Sequence, residues 1–221
     1  MTKLFVAIAL VFTATLANAQ LKGSGKTITK SFQYDDFDKL FLEDINGKIE
    51  VSVGTSWSIL ITIDDNLMPL LNIEYNPNEK NLKIQFKGNQ NNKLYLEDTN
   101  VKIKITMPTV SIISNKGNNQ LVVKNVTGSC FKLENMGNGD VQLHGTTNFL
   151  EITKTGNGDV FAAHIFTKKA VVKSFGNGDT FVNVSEELTG VLSGNGDIIN
   201  TGEAVFSENS KKSGNGKLMM R

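Results

Sequence analysis

Residues 137–160 read GNGDVQLHGTTNFLEITKTGNGDV, so that a Gly-Asn-Gly-Asp mark returns after 19 residues. Further marks stand at 176–179, 194–197 and, with lysine in the last place, 214–217, and a degenerate Gly-Asn-Asn-Gln stands at 117–120. Consecutive marks are 20, 19, 20, 18 and 20 residues apart. A period this steady indicates an array of one supersecondary unit. The glycines that we expect in structural turns are Gly137, Gly139, Gly156, Gly158, Gly176, Gly178, Gly194, Gly196, Gly214 and Gly216.

Strand-like sequence flanks every mark. Apolar residues alternate before a mark, as in Phe131/Leu133, and an apolar or β-branched residue stands two places after each Gly-Asn-Gly, as in Val141 and Val160. Period-two alternation bounded by Gly and Asn predicts strand–turn–strand units, with Asn-Gly supplying the positive φ angles of tight turns. About twenty residues suit one coil of a β-solenoid whose strands stack about 4.8 Å apart. The repeat therefore predicts an all-β, parallel β-helix-like solenoid with about 18–20 residues per coil, over residues 111–221.

The preceding region, 20–110, lacks the mark but is rich in strand-forming residues. We expect it to form irregular β layers that cap the first coil and continue into one domain with it. Asn46-Gly47-Lys48 resembles an outlying turn of the same kind, and Asp65 to Leu71 predicts a short helix capped by Asp65 or Asn66. Strands are expected at Phe41-Leu42, Lys48 to Val53, Ser58 to Ile63, Leu82 to Phe86, Leu94 to Leu96 and Val101 to Ile105.

Residues 1–19 have the pattern of a secretory signal peptide. Lys3 gives a positive start, residues 4–16 are apolar except for two threonines, and Ala17-Asn18-Ala19 forms an A-x-A cleavage site. The alternative, a membrane anchor, needs about 20 apolar residues. Cleavage would leave a chain of zero net charge without a transmembrane segment. Gln20 stands where a lipoprotein has cysteine, so we expect an exported protein that is periplasmic, associated with the outer surface or extracellular.

Composition excludes several classes of protein. With 23 Lys+Arg against 22 Asp+Glu, the chain lacks the basic face of a nucleic-acid binder. Hydrophobic residues make up 39%, enough for a core, and 20 glycines do not fit a helical bundle. Cys130 is the only cysteine, so no internal disulfide forms. Its place beside Phe131 favours a buried, inert thiol, with a reactive or intermolecular thiol as the alternative.

The order of these features resembles the head GIN domain family of auto-transporter adhesins. An Asn46-Gly47 turn opens a strand, a short segment from Leu67 to Leu71 comes next, and Leu82-Lys83-Ile84 and Val101-Lys102-Ile103 follow it. Met107-Pro108 then precedes the Gly-Asn-Gly-Asp coils. The resemblance covers most of the mature chain. It implies a right-handed parallel β-helix-like domain at a bacterial envelope. The expectation does not extend to self-export, because the sequence closes at Leu218 to Arg221 within its fifth mark, and a membrane barrel needs many strands of about 9–11 residues.

The acidic residues of the marks form the first candidate site. We expect each carboxylate to bond the backbone N–H groups of its own turn, as Asx turns do. A calcium ladder along the row is the alternative, although Lys217 ends the row with the opposite charge. We otherwise expect no cofactor. The row comprises Asp140, Asp159, Asp179 and Asp197.

An apolar stripe is the second candidate. The residue between two inward positions after each mark should face solvent, and an exposed apolar patch marks an interaction site. The alternatives are that N-terminal layers cover this wall or that the faces are reversed, since a shift of one residue exchanges them. If exposed, the stripe predicts a homo-oligomer or a groove for a partner. Its members are Phe161, Phe181, Ile199 and Met219.

Catalysis has less support in the sequence. The two histidines, His144 and His164, differ by one in their offset from the preceding mark, and a paired metal site usually has further ligands. A glycosidase needs two carboxylates in a cleft, whereas the aspartates of the row are regular turn residues. The sequence therefore predicts a non-enzymatic, adhesin-like module that binds a surface glycan, a protein or itself. A polysaccharide lyase or hydrolase of β-helix type and a purely structural envelope protein are the alternatives.

Overall fold

The computed structural model describes residues 21–88 and 99–221. The predicted signal peptide and the strand predicted at Leu94 to Leu96 lie outside these residues. The strands of the first half are β1 (Thr27–Phe32), β2 (Lys39–Glu43), β3 (Lys48–Val53), β4 (Ser58–Asp64), β5 (Leu71–Asn76), β6 (Asn81–Phe86) and β7 (Lys102–Met107). Those of the second half are β8 (Ile112–Lys116), β9 (Gln120–Val126), β10 (Cys130–Asn135), β11 (Val141–Gly156), β12 (Val160–Gly176), β13 (Thr180–Gly194), β14 (Ile198–Asn200), β15 (Lys211–Gly214) and β16 (Leu218–Met220).

The marks connect two parallel walls of strands, as the predicted solenoid requires. One wall, here the pre-turn wall, contains β6, β2, β8, β10, the C-terminal parts of β11 to β13, and β15. The other, the post-turn wall, contains β7, β3, β9, the N-terminal parts of β11 to β13, β14 and β16. The turns between the walls lie on one another and are called the turn stack. Its turns are residues 44–47, 117–120, 137–140, 156–159, 176–179, 194–197 and 214–217.

The N-terminal region is more regular than predicted. Strands β2 and β3 form a parallel coil that lies between the β6–β7 layer and the β8–β9 coil, so the turn at Asn46-Gly47 belongs to the turn stack. Only β1 with β4, β4 with β7, and β5 with β6 pair in antiparallel fashion among the described strands. Only the outermost strands of this region therefore depart from the parallel coil arrangement. The β2–β3 coil comes before β6 and β7 in the chain, but in space it lies between them and the β8–β9 coil.

The predicted helix over Asp65 to Leu71 is wrong. The segment contains one 3-10 turn, Met68–Leu70, without a side-chain cap. Asp65 and Asn66 instead bond Ser24 of the N-terminal segment, at 2.6 and 3.0 Å. Pro69 is the fifth residue of the predicted helix, where it lacks the backbone N–H that would bond to Asp65. A helix of seven residues is also too short to be stable by itself. No helix within 21–88 and 99–221 has the length and apolar character needed to cross a membrane.

The core is a continuous column of side chains between the walls. Val141, Val160 and Ile198 are fully buried at the first place of the post-turn wall, which confirms the inward positions predicted there. Phe131 and Leu133 are buried as well, and the alternation of the strand then turns Cys130 outward, so the prediction of a buried thiol is wrong. Cys130 is the first residue of β10 and lies on its solvent face.

A buried carboxylate fastens the N-terminal segment to the layers beneath it. Asp64 is fully buried and accepts hydrogen bonds from the backbone N–H groups of Gly25 at 2.9 Å and Asn100 at 2.6 Å. The Asn100 amide adds a third bond at 3.1 Å. Burial opposes the charged form, but these hydrogen bonds dominate and hold the pKa of Asp64 below its usual value. The carboxylate therefore joins segments far apart in the chain.

Candidate functional site

Close approach of successive turns explains the glycines of the marks. A Cβ on the second glycine of a mark would overlap the carbonyl oxygen of the turn before it, as Gly178 would overlap Gly158. The first glycine has the same close contact and, in Gly156, Gly176 and the two later marks, also a positive φ. The positive φ therefore occurs at the first glycine of these marks. The sequence pattern predicts it at the Asn-Gly pair in the second and third places, and that prediction is wrong. Any side chain at either position would push the coils apart.

The asparagines of the marks form a ladder that the sequence analysis did not single out. The side-chain amide of each asparagine donates to the side-chain oxygen of its counterpart in the preceding turn, over distances of 2.6 to 3.0 Å. Such amide ladders stabilise stacked strands. Their signal was present in the sequence, because asparagine occupies the second place of every mark. The ladder comprises Asn118, Asn138, Asn157, Asn177, Asn195 and Asn215.

The aspartate row binds between turns and not within them. Asp140 Oδ1 accepts the backbone N–H of Asp159 at 2.9 Å, and Asp159 and Asp179 do the same for the next turn, at 2.7 and 2.8 Å. Asp197 accepts the N–H of Lys217 at 2.7 Å. The prediction that each aspartate bonds its own turn is therefore wrong in detail. One oxygen of each carboxylate is already occupied by a neighbouring coil, which gives the row a structural role.

A polar column lies inside the solenoid, directly behind the turn stack. Asn135 donates to the carbonyl oxygen of Gly139 at 3.2 Å, four residues ahead. Lys154, at the equivalent place in the next coil, donates to Gly158 at 3.4 Å and also to Gly178. The residue that would serve Gly178 by the same spacing is Ser174, whose hydroxyl is too short and has no hydrogen-bond partner. The longer lysine thus supplies two successive turns.

Lys154 is fully buried, and within the described residues its ammonium group makes no ion pair with a carboxylate. Burial lowers its pKa from the ordinary value of 10.5, and the nearby charges of Asp159 and Asp179 oppose that shift only in part. The cation therefore lies behind the acidic row and partly compensates the repulsion among its carboxylates. The period of two along the strand did not predict that Lys154 is buried, because a single charged residue at an inward position looks like a break in the apolar–polar alternation.

The apolar stripe lies on the solvent face of the post-turn wall. Phe161 and Phe181 are register partners on β12 and β13, and their rings stack with centroids 5.5 Å apart and planes 6° from parallel. Both rings are half-buried. They do not belong to the core cluster of the described residues. Phe161 and Phe181 thus lie on the outer side of this wall, which is one of the arrangements that the sequence left open.

The remaining two members of the stripe differ in exposure. Ile199 is only 2% exposed, because the larger side chains of Phe181 and Met219 pair with it from the strands on either side. It was predicted to be exposed, and that expectation is wrong. Met219 is half-buried. In the opposite direction the same column continues with Gln142, Val122 and Glu50, so it is mixed in character toward the N-terminal coils and apolar toward the C-terminal coils.

The structure brings the two histidines together. His144 and His164 are register partners on β11 and β12, with ring centroids 5.3 Å apart and planes 3° from parallel. The difference of one residue in their offsets had argued against such a pair. A β-bulge between Gln142 and His144 absorbs the extra residue. Within 21–88 and 99–221, no group of three or more His, Cys, Asp or Glu side chains is arranged to hold a metal ion.

Comparison with protein families gives one match. A model of the head GIN domain family, described as a putative auto-transporter adhesin, matches residues 36–204. The match covers the inner coils, most of the turn stack and the Phe161–Phe181 pair. A search of curated proteins found no match.

Solved structures share the fold. A putative adhesin from Bacteroides fragilis is 21% identical with a TM-score of 0.70, over 91% of this chain and 100% of that one. A putative adhesin from Parabacteroides merdae is 19% identical with a TM-score of 0.57, over 91% and 98%. A putative lipid binding protein from Parabacteroides distasonis is 20% identical with a TM-score of 0.51, over 91% and 99%. At these identities the likeness concerns the fold alone.

Proposed function

Since the chain belongs to the head GIN domain family of putative auto-transporter adhesins, we propose that it is an exported, non-enzymatic binding module of the cell envelope. Its contact surface is the apolar stripe of the post-turn wall, centred on Phe161 and Phe181. The signal-peptide pattern of residues 1–19 supports export. The apolar stripe is thus the surface of this chain to which we assign the adhesin-like role of the family.

The stacked pair of phenylalanines carries the proposal. Aromatic side chains usually lie in a core or at an interface, where each removes a large apolar area from water. Phe161 and Phe181 lie outside the core cluster and face solvent in part. Folding of the coils does not require rings at these places, since Gln142 occupies the same column one coil earlier. An apolar group that folding does not require supports a role in binding.

The scaffold suits a passive mechanism of binding. Parallel pairing fixes each outward side chain at the spacing of the strands, and the turn stack locks one edge of every coil through the Asn ladder and the Asp row. A surface held in this way loses little conformational entropy when a partner docks. Many modest contacts aligned along the coils can then act together, without any moving part.

The ring geometry favours a protein partner over a glycan. A sugar ring packs best on the open face of an aromatic ring. Here one face of Phe161 lies against one face of Phe181, so these two faces are closed to a sugar ring. The stacked rings, with Met219 two strands beyond Phe181, suit the apolar side chains of another protein. A second copy of this chain is one such protein.

Four described carboxylates do not fit the role of the general acid in a polysaccharide-active enzyme. A glycosidase needs a general acid whose pKa is raised above its usual range. In the part of the chain that the structure describes, each carboxyl group with a displaced pKa has it lowered, namely Glu43, Glu50, Asp64 and Glu134. Burial opposes the charge of Glu43 and Asp64, but lysine partners outweigh it at Glu43 and hydrogen bonds outweigh it at Asp64. Bonds from lysines lower the pKa of Glu50 and Glu134. These four groups are therefore held in the charged form, which a general acid is not.

A binding screen with product analysis distinguishes these functions. Purified protein is applied to immobilised bacterial and host surface proteins and polysaccharides, and the supernatant is analysed for oligosaccharides. We expect retention on one or more surface proteins and no released sugar. Release of oligosaccharides that continues with time would contradict the non-enzymatic function. Retention on polysaccharides alone would contradict the choice of a protein partner.

Export is tested separately, by protease treatment of intact cells followed by immunoblotting. We expect the protein to be cleaved while a periplasmic control protein survives. Survival in intact cells with cleavage after the outer membrane is opened would contradict a role on the outer surface and leave a periplasmic partner as the ligand. Protection in both preparations would contradict export.

A further inference from the structure

A β-bulge places two imidazole rings side by side on the outer face of the solenoid. Strands β11 and β12 pair at Gln142 and Phe161, then shift register, and pair again at His144 and His164. Without the bulge the rings would point to different rows, because their offsets from the marks differ by one. Bulges often redirect a side chain next to a functional site. We propose that His144 and His164 form a binding site for a late first-row transition-metal ion, with copper(II) as the preferred ion.

The two imidazoles are close enough to share one metal ion. Their rings are nearly parallel, with centroids 5.3 Å apart. Imidazole nitrogens bind such metals at about 2.0–2.1 Å, so two ligating nitrogens lie within roughly 4 Å of each other. Because imidazole lone pairs lie in the ring plane, both side chains must turn out of the parallel stack so that their nitrogens converge on one ion. His164 is exposed and His144 is half-buried, which leaves room for these rotations.

The nitrogens are also available. Within the described residues, neither imidazole makes a hydrogen bond or an ion pair. The cation on the adjoining strand, Lys124, is paired with Glu50 at 2.6 Å, which reduces its repulsion of a bound metal ion. Two histidines supply only two ligands, so water fills the other positions and the affinity is moderate. Imidazole nitrogen and the usual order of stability favour copper(II) over nickel(II) and zinc(II).

The test is a calorimetric titration of the full chain, without an affinity tag, with copper, nickel and zinc chlorides at about pH 8, where metal-ligating histidine is unprotonated. Because Cys130 is an exposed thiol that would itself react with these metals, all variants carry Cys130→Ser. His144→Gln and His164→Gln are compared with Asp179→Asn, a control from the acidic row. Circular dichroism of each variant verifies that it is folded.

We expect one copper ion per chain, tighter than nickel or zinc, and at least a tenfold loss of affinity in each histidine variant. The paramagnetic resonance spectrum of the copper complex should show coupling to nitrogen that His144→Gln reduces. Binding that survives in both histidine variants, or that only Asp179→Asn weakens, would overturn the proposal. Absence of binding by the Cys130→Ser protein would also overturn it.

Discussion

Replacing Asn177 by alanine removes an internal rung of the Asn ladder. Its amide nitrogen donates to Asn157 at 2.6 Å, and its oxygen accepts from Asn195 at 2.7 Å. The substitution therefore breaks two hydrogen bonds between coils. Asn215, in the last turn, donates to Asn195 at 2.9 Å, so its replacement breaks only one. The two variants are matched in chemistry and differ in the number of bonds lost.

The expected cost follows from that count. A hydrogen bond contributes a net stability of about 0.5–1.5 kcal/mol, and exposed ones lie toward the lower end. Asn177→Ala should therefore lower the free energy of unfolding by about 1–2 kcal/mol, and Asn215→Ala by about half as much. For a chain of this size each kcal/mol lowers the melting temperature by about 2–4 °C.

Urea unfolding followed by circular dichroism measures both variants. Asn157→Ala and Asn195→Ala are included as further internal rungs, and an unchanged dependence on urea shows that the unfolding transition is the same. A cost for the internal rungs no greater than that of Asn215→Ala would refute the reasoning. That result would mean that hydrogen bonds between the side-chain amides contribute no more to stability than their hydrogen bonds to water. The close packing of the glycines would then account for the stability of the turn stack.

Three other substitutions test the interior. Gly178→Ala should destabilise the chain by about 2–3 kcal/mol in thermal unfolding, because its Cβ meets the carbonyl oxygen of Gly158, and a stable variant would contradict the close stacking. Burial lowers the pKa of Lys154, so just below pH 10.5 the unfolded chain binds more protons than the folded chain. The stability of the wild type relative to Lys154→Met should therefore rise as the pH increases toward 10.5. A difference that does not change with pH would contradict a buried ammonium group. The folded state lowers the pKa of Asp64, so the stability that this carboxylate contributes is complete above pH 3.8 and is lost as the pH falls through the lowered pKa. The difference in stability between the wild type and Asp64→Asn should therefore shrink below pH 3.8. A difference unchanged by acid would contradict the role of Asp64.

Periodicity predicted the turn stack and the inward residues, because both recur once per coil. The resemblance of Asn46-Gly47 to the marks indicated a turn of the same kind, but not its place within the stack. The spatial order of the β2–β3 coil could not be predicted, since it depends on strand pairing between segments far apart in sequence. At Cys130 the alternation from Phe131 and the general tendency of free cysteine to be buried point in opposite directions, and the alternation decides, because Phe131 fills the inward place of the strand.

Contacts between coils were harder to predict than positions within a coil. The Asp row accepts N–H groups from the next turn, and Lys154 reaches a turn that Ser174 is too short to serve. The pairing of His144 with His164 depends on a bulge that changes the count by one residue. Each case requires knowledge of which residues lie above one another, and a single irregular coil is enough to alter it.

The claim that this chain binds a surface partner through Phe161 and Phe181 is tested most directly by a matched pair of variants. Phe161→Ser/Phe181→Ser removes the stacked rings, and Phe175→Ser removes an exposed ring, 38% accessible, that lies next to the turn on the pre-turn wall of β12. Binding of each folded protein to the partner found in the surface screen is measured by biolayer interferometry. The account predicts that the double variant loses binding by at least about tenfold, as expected for aromatic residues at the centre of an interface, while Phe175→Ser binds like the wild type. Equal binding by the wild type and a folded double variant would contradict it.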